Sequence, residues 1–306
     1  MKKQKFSGFT IIELLLVISI IGLLSSTVMV SLKGVKQNAK IASAKQFSGS
    51  LKNALGAYII GEWNFNDGTI NDSSGNGLNF SGLNYTINND GIEKKSVTLN
   101  NGYIASGVSA ACSAGRCNVH SGSLTYDGWF KPINIAPCNT NVAIHLSAST
   151  TTWTTNPIDY NWDIGYWTSA GWVGFVTRDL GGGVYDPCYI GFAPLNLSGD
   201  EIPIMNQWNH VAFTYQAITG ELSIYLNGKR LKNPVQCGSG NVAIRNFYLT
   251  VASNYSTFGN YCAAIDEIRI YDSPLNLSQI QQNYAQGLIK LGIKGLIGSS
   301  VLAKSL

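Results

Sequence analysis

A single carboxylate stands at the head of an uncharged apolar run. Glu13 is followed by Leu14 to Leu32, 19 residues without a charge. An ionised carboxylate at membrane depth costs about 2.5–3.5 kcal/mol on insertion scales, so it implies a partner or a purpose. Two buried opposite charges that need one another can set register between subunits. A second concentration of chemistry is aromatic: Trp153, Tyr160, Trp162, Tyr166, Trp167 and Trp172 fall within twenty residues. Aromatic faces can stack on sugar rings and are enriched at binding surfaces. Strands also bury aromatics, and Trp162, Tyr166 and Trp172 share one parity on a simple strand count. Part of the set therefore reads as core.

Other constellations point away from catalysis. His210 lies near Trp208 in a strand-like run, and Asp266-Glu267 is the one adjacent acid pair in the closing segment. Adjacent strand residues face opposite sides, so these two carboxylates should not flank one bond. No GxSxG, HExxH or phosphate loop is present. The expectation is a protein that is not an enzyme.

The chain has six cysteines, Cys112, Cys117, Cys138, Cys188, Cys237 and Cys262. An even count beside an export signal reads as disulfides, with reduced core cysteines as the alternative. Pairing between sequence neighbours is the expectation: Cys112–Cys117, Cys138–Cys188 and Cys237–Cys262. Zinc is disfavoured, because there is no CxxC and His120, His145 and His210 are scattered.

These residues need positioning elements. The opening MKKQKFSG is a short basic stretch before an apolar run, as in a signal sequence, but no small-x-small cleavage site follows. Leu14–Leu32 as a helix spans about 28 Å, enough to cross a bilayer. Beyond it, Val35, Ala39, Ala42, Phe47, Leu51, Leu55 and Tyr58 recur at helical intervals, with Lys33, Lys36, Lys40, Lys45 and Lys52 on other faces. A helix over Phe9–Ile60 would run about 78 Å. Gly49 and Gly56 weaken it, and a flexible stalk is the alternative.

At Gly61 the pattern changes to short alternating segments between polar turns such as Asn66-Asp67-Gly68, Asn100-Asn101-Gly102 and Asn227-Gly228. Such spacing indicates an all-β sandwich or jelly roll. The fold class is thus α+β, a long N-terminal α-helix followed by a β-sandwich head. Charged residues make up only 12%, and 18 basic against 17 acidic residues remain once Lys2, Lys3 and Lys5 are set aside. No basic stripe is visible, so no nucleic-acid partner is expected. The apolar tail from Gln286 to Leu306 holds Gly287, Gly292, Gly295 and Gly298 and reads as either a marginal helix or mobile chain.

Gly8-Phe9-Thr10-Ile11-Ile12-Glu13 resembles the processing site of the type IV prepilin family. The resemblance implies cleavage between Gly8 and Phe9 by a prepilin peptidase, methylation of the new terminus, and pairing of Glu13 with the terminal amine of a neighbouring pilin subunit. It also implies a single-pass stage in the cytoplasmic membrane, then an extracellular pilus. Many major pilins carry a proline midway along the apolar stretch; here Val28, Met29 and Val30 stand there. The implied domains are 1–8 leader, 9–60 pilin helix, 61–285 head and 286–306 tail.

The head resembles the laminin G-like, concanavalin A-like jelly rolls. Glu62-Trp63-Asn64-Phe65-Asn66-Asp67-Gly68 looks like the opening strand, and Ser96-Val97-Thr98-Leu99 with Gly102-Tyr103-Ile104 like the next strand pair. Trp129-Phe130-Lys131-Pro132, then Gln207-Trp208-Asn209-His210-Val211-Ala212-Phe213-Thr214-Tyr215, look like central strands. Ile265-Asp266-Glu267-Ile268-Arg269-Ile270-Tyr271 looks like the closing one. The resemblance implies glycan or protein binding and a structural Ca2+, with Asp72 and Asp266 as candidate ligands. Turn-capping is the alternative for Asp72. The functional expectation is an adhesive pilus subunit. A pseudopilin of a secretion or DNA-uptake machine is the alternative, and a surface-tethered carbohydrate-active enzyme is the third reading.

Overall fold

The computed structural model describes residues 10–106, 122–133, 142–149, 160–167, 169–180, 184–242, 248–251 and 262–293. Helix α1 runs Ile11–Leu55, 45 residues or about 68 Å. Thr10 and Glu13 start it with a capping box: Glu13 Oε2 accepts from the Thr10 N–H and hydroxyl at 2.8 Å each, and the Glu13 N–H donates to Thr10 Oγ1 at 3.3 Å. Over Ile11–Met29 no part of the helix is buried. A 3-10 turn at Gly56–Tyr58 ends the helix, and strand β1 begins at Ile59.

The head contains β1 (Ile59–Trp63), β2 (Phe80–Asn88), β3 (Ser96–Ser106), β4 (Leu124–Pro132), β5 (Val142–Ser149), β6 (Tyr160–Trp167), β7 (Gly171–Asp179) and β8 (Tyr185–Phe192). It continues through β9 (Asn209–Gln216), β10 (Glu221–Leu226), β11 (Lys229–Arg230), β12 (Val235–Gln236), β13 (Asn241–Val242), β14 (Tyr248–Val251) and β15 (Cys262–Tyr271) to helix α2 (Leu277–Ile293). The strands pair in the order β11-β10-β9-β4-β15-β3-β14-β5-β6-β7-β13; β12 joins β10, β1 joins β15, β2 joins β3 and β8 joins β7.

This ribbon folds over on itself. Trp162 of β6 stacks on Tyr126 of β4 at 5.7 Å and on Phe213 of β9 at 6.3 Å, so the two halves form a jelly-roll sandwich around an aromatic core. Asn227-Gly228 makes the expected tight hairpin, with φ of 51° and 75° between paired Leu226 and Lys229. Asn100-Asn101-Gly102 does not make a turn: Ser96–Ser106 is one strand, not a pair. Asn101 (φ 53°) and Asn84 (φ 53°) face each other at a register shift, so the turn-forming residues are used in a bulge. The first part of the tail is helix: α2 lies on the outer face of β4, β15 and β9, burying Ile280, Leu288, Ile289 and Leu291, and it also meets α1.

Candidate functional site

The stalk offers one functional arrangement. Glu13 sits in the first turn of a helix whose apolar side chains are exposed over Ile11–Met29, and among the described residues its carboxylate is held by Thr10. The Thr10 N–H and hydroxyl both donate to that carboxylate at the helix start. Gly8 and Phe9 lie outside the described residues.

In the head, the sequence-predicted aromatics divide by parity. Trp162, Tyr166 and Trp172 are 1%, 4% and 0% exposed and form the core, the reading their shared parity allowed; as ligand-stacking candidates these three are corrected. The Trp172 indole N–H donates to the Glu201 carbonyl at 2.8 Å inside the fold. Trp167, at the end of β6, is half-buried and packs on the same core. Trp153 lies outside the described residues, and of Tyr160 only its place at the start of β6 is described.

The opposite parity carries a different pair. Phe175 of β7 and Tyr189 of β8 are cross-strand partners with ring centroids 5.5 Å apart. Tyr189 is 52% exposed and Phe175 half-buried. Asp163 of β6 sits directly across from Phe175 on the same side. This side faces away from the core, on the half of the sandwich that α2 does not cover. The signal was present in the sequence: residue 175 has the opposite parity to Trp172 and must point outward once Trp172 points in.

The acids behave differently from the metal expectation. Asp72 Oδ1 accepts from the N–H groups of Glu62 (3.0 Å) and Ser74 (2.9 Å), and Oδ2 from the Ser74 hydroxyl (2.9 Å) and the Leu78 N–H (3.0 Å). Four internal donors organise the turn and leave no lone pair for a cation. Asp266 is fully buried, with Oδ2 on the Ile92 N–H (2.6 Å) and Oδ1 on the Glu267 N–H (2.8 Å). Neither residue fits a calcium site, and among the described residues no group of three or more His, Cys, Asp or Glu is arranged for a metal.

A bulge between Asp266 and Arg269 puts Glu267 at φ 50°, so strand alternation fails there. Both carboxyls then lie under α2 instead of on opposite faces. Glu267 accepts from Lys290 Nζ at 2.8 Å and pairs with Arg269, which also donates to Glu62 Oε1 at 2.9 Å. Burial pushes the Glu267 carboxyl up, but the Arg269 and Lys290 charges override it and hold it at about 2. Asp266 goes the other way, raised by burial and by the Glu267 charge. Beside them, His210 Nε2 is 3.0 Å from Asp127 Oδ2, which also accepts from Asn283 at 3.1 Å, all fully enclosed. These groups tie α2 to the sheet; Asp127, His210, Asp266 and Glu267 are buried, while Lys290 reaches the surface at their edge.

The one disulfide wholly within the described residues is Cys188–Cys237, with Cα atoms 5.6 Å apart. This corrects the neighbour pairing for both residues. Cys188 is on β8 and Cys237 follows β12, the outlying strands at the two ends of the ribbon, which folding brings together. Cys262 is also disulfide-bonded; Cys112, Cys117 and Cys138 lie outside the described residues.

Fold and sites together define a jelly-roll protein led by a long helix whose apolar side chains are exposed over Ile11–Met29. Residues 3–29 match the prokaryotic N-terminal methylation motif. Residues 100–281, more than half of the chain, match the concanavalin A-like lectin/glucanases superfamily, and the chain belongs to that family. Among curated proteins none matches. Of solved structures, the chain is similar to the binding domain of Paraclostridial Mosquitocidal Protein 1, at 16% identity and TM-score 0.52 over 76% of this chain and 52% of that one. It is similar to domain 4 of AbnA, a GH43 extracellular arabinanase from Geobacillus stearothermophilus, in complex with arabinotriose, at 17% identity and TM-score 0.50 over 74% and 98%. It is also similar to the binding domain of botulinum neurotoxin DC in complex with rat synaptotagmin II, at 16% identity and TM-score 0.52 over 76% and 52%. The chain thus spans about half the length of the toxin domains it matches. At these identities the likeness is one of fold.

Proposed function

We propose that this chain is a subunit of a type IV pilus-like filament whose outward head binds a glycan on the Phe175–Tyr189 face. The observation that carries the reading is the methylation motif leading into a helix with no buried residue from Ile11 to Met29, joined to a lectin-like jelly roll. An apolar helix of this length is satisfied first by a bilayer and then by packing against other such helices. In this reading a prepilin peptidase cuts between Gly8 and Phe9, and Glu13 exchanges its Thr10 donors for the new amine of a neighbouring subunit. The protein passes from the cytoplasmic membrane to the cell surface.

The head binds and does not turn over its ligand. What supports this is the enclosure of the adjacent acids Asp266 and Glu267 beneath α2. An aromatic pair with one exposed and one half-buried ring on the outward side suits a sugar, with ring faces for its C–H surfaces. The arabinotriose held by the similarly folded arabinanase domain agrees with that choice; the synaptotagmin complex keeps a protein ligand as the outcome to be tested against.

Mass analysis of sheared surface filaments tests the assembly. A chain beginning at N-methylated Phe9 is the expected result. An intact Met1 start confined to membranes would refute it, and a processed chain absent from filaments would move the assignment to a pseudopilin. Glycan-array binding of wild type against Phe175→Ala tests the head.

A further inference from the structure

We propose that Gly191 holds open a notch beside the Phe175–Tyr189 pair, and that this notch takes one ring of a neutral sugar. The proposal rests on the glycan reading of the head.

Glycine weakens a strand, and inside one it marks a bulge, a positive φ, close packing or the approach of a ligand. Gly191 is the last but one residue of β8 and pairs with Val173 of β7 in unbroken register, so it sits in no bulge. Its φ is not in the positive region. Among the described residues, a Cβ at Gly191 would meet the Trp172 carbonyl oxygen at 3.6 Å and nothing else within 4 Å, an ordinary contact. Two neighbouring glycines differ. A Cβ at Gly174 would lie 3.1 Å from the Asp163 carbonyl oxygen, 3.2 Å from Phe213 and 3.3 Å from Ile190, and Gly171 has φ 79° and would collide with the Phe192 carbonyl. Packing and conformation account for those two. Gly191 is exposed, and the approach of a ligand is the reason left for it.

Register says what the missing side chain leaves open. Residues two apart on a strand flank one another on the same face. On the outward side of β8, Tyr189 stands between Pro187 and Gly191; beside it on β7, Phe175 stands between Thr177 and Val173. Thr177 is fully buried and Pro187 half-buried, so that side of the aromatic pair is filled. The other side has half-buried Val173 and, at Gly191, no side chain at all. The Phe175 and Tyr189 rings are inclined at 47°. They form a corner instead of a flat floor, and its open side is that of Gly191. Cys188, between Pro187 and Tyr189, points the other way and is bonded to Cys237, which fixes β8 in place.

Charge selects the kind of sugar. The outward positions of β6, β7 and β8 around the notch are Asp163, Gly165, Val173, Phe175, Tyr189 and Gly191. They hold no Lys or Arg and one carboxylate. An acidic sugar would find no cation among these positions and would face Asp163, a like charge. A neutral ring meets no such penalty, and its C–H face can lie against the aromatic corner.

The test uses the full chain in detergent on an array of neutral arabino-, xylo- and gluco-oligosaccharides beside sialylated and uronic-acid glycans. Wild type should be retained by neutral glycans. Gly191→Val should lower affinity for the best-retained one about tenfold or more in a calorimetric titration. It should melt no lower than wild type, because valine suits a strand better than glycine. Val173→Phe fills the notch from the adjacent strand and should weaken binding in the same way, so the test stands even if the first variant misfolds. Unchanged affinity in both variants would overturn the notch; if Phe175→Ala and Tyr189→Ala still lost binding, the glycan reading of the head would survive without it. Retention by acidic glycans alone would overturn the neutral class. No retention of wild type by any glycan would refute the reading of the head itself, and this inference with it.

Discussion

Replacing Glu267 by glutamine keeps its shape and removes its charge from beneath α2. The carboxyl is held at about 2 in the fold against an ordinary 4.5. Its folded value is depressed, so its stabilisation is present above pH 4.5 and is lost as pH falls toward 2. At about 1.4 kcal/mol per unit, the full contribution is about 3 kcal/mol. Asp266 has the opposite sign: its raised value stabilises below 3.8, and that contribution is lost as pH rises through the folded value. Removing the Glu267 charge also relieves Asp266, so about 3 kcal/mol is a ceiling. The detergent-solubilised chain should therefore melt about 6–12 °C lower as E267Q than as wild type at pH 6. The gap should shrink to about 1 kcal/mol at pH 2.5. A gap equal at both pH values, or no gap at pH 6, would refute the account of α2 as pinned by a low-pKa carboxylate.

Other outcomes follow from the same geometry. Gly287→Ala would place a Cβ 2.1 Å from Trp129 Cζ2; overpacking of about 1–3 kcal/mol should outweigh the roughly 1 kcal/mol of helix propensity gained, lowering the melting temperature. Opening Cys188–Cys237, whose residues are 49 apart, with paired serines should cost about 4 kcal/mol in urea unfolding. Phe175→Ala and Tyr189→Ala should each weaken glycan binding about 3–10-fold in a titration while leaving thermal unfolding almost unchanged.

The stalk was legible because its signals are one-dimensional. A run without charge and a carboxylate at its start need no tertiary information. The jelly roll was legible from strand and turn spacing, and Asn227-Gly228 fell where its φ angles require. What was lost depends on which side of a strand a residue takes. Trp162, Tyr166 and Trp172 share a parity, which marked part of the set as core but did not say which residues take the outward side. Phe175 was overlooked for the same reason. Bulges then defeat parity itself: at Glu267 and Asn101 a single positive φ moves a side chain to the other face or turns an apparent hairpin into one bent strand. The cysteine pairing failed because strands far apart in sequence meet only when the ribbon closes.

That closure also determines how the head can be loaded. The Phe175–Tyr189 face lies on β7 and β8, at one end of the strand order, whereas α1 enters through β1 beside β15, in the other half of the sandwich. Without a shortcut, a pull on a bound ligand would reach the stalk only through β6, β5, β14 and β3 in turn, each joined by hydrogen bonds that can peel. Cys188–Cys237 links β8 directly to the chain beside β10, and β13 follows within a few residues on β7. From β10 the path is β9, β4, β15, β1, the strands whose outer face α2 clamps through Asn283 and Lys290. At its end the Asp272 N–H donates to the Tyr58 carbonyl at 2.7 Å, where the strand meets the last turn before β1. The disulfide and the buried charges thus shorten the path of bonded strands between the Phe175–Tyr189 face and β1, where the stalk enters.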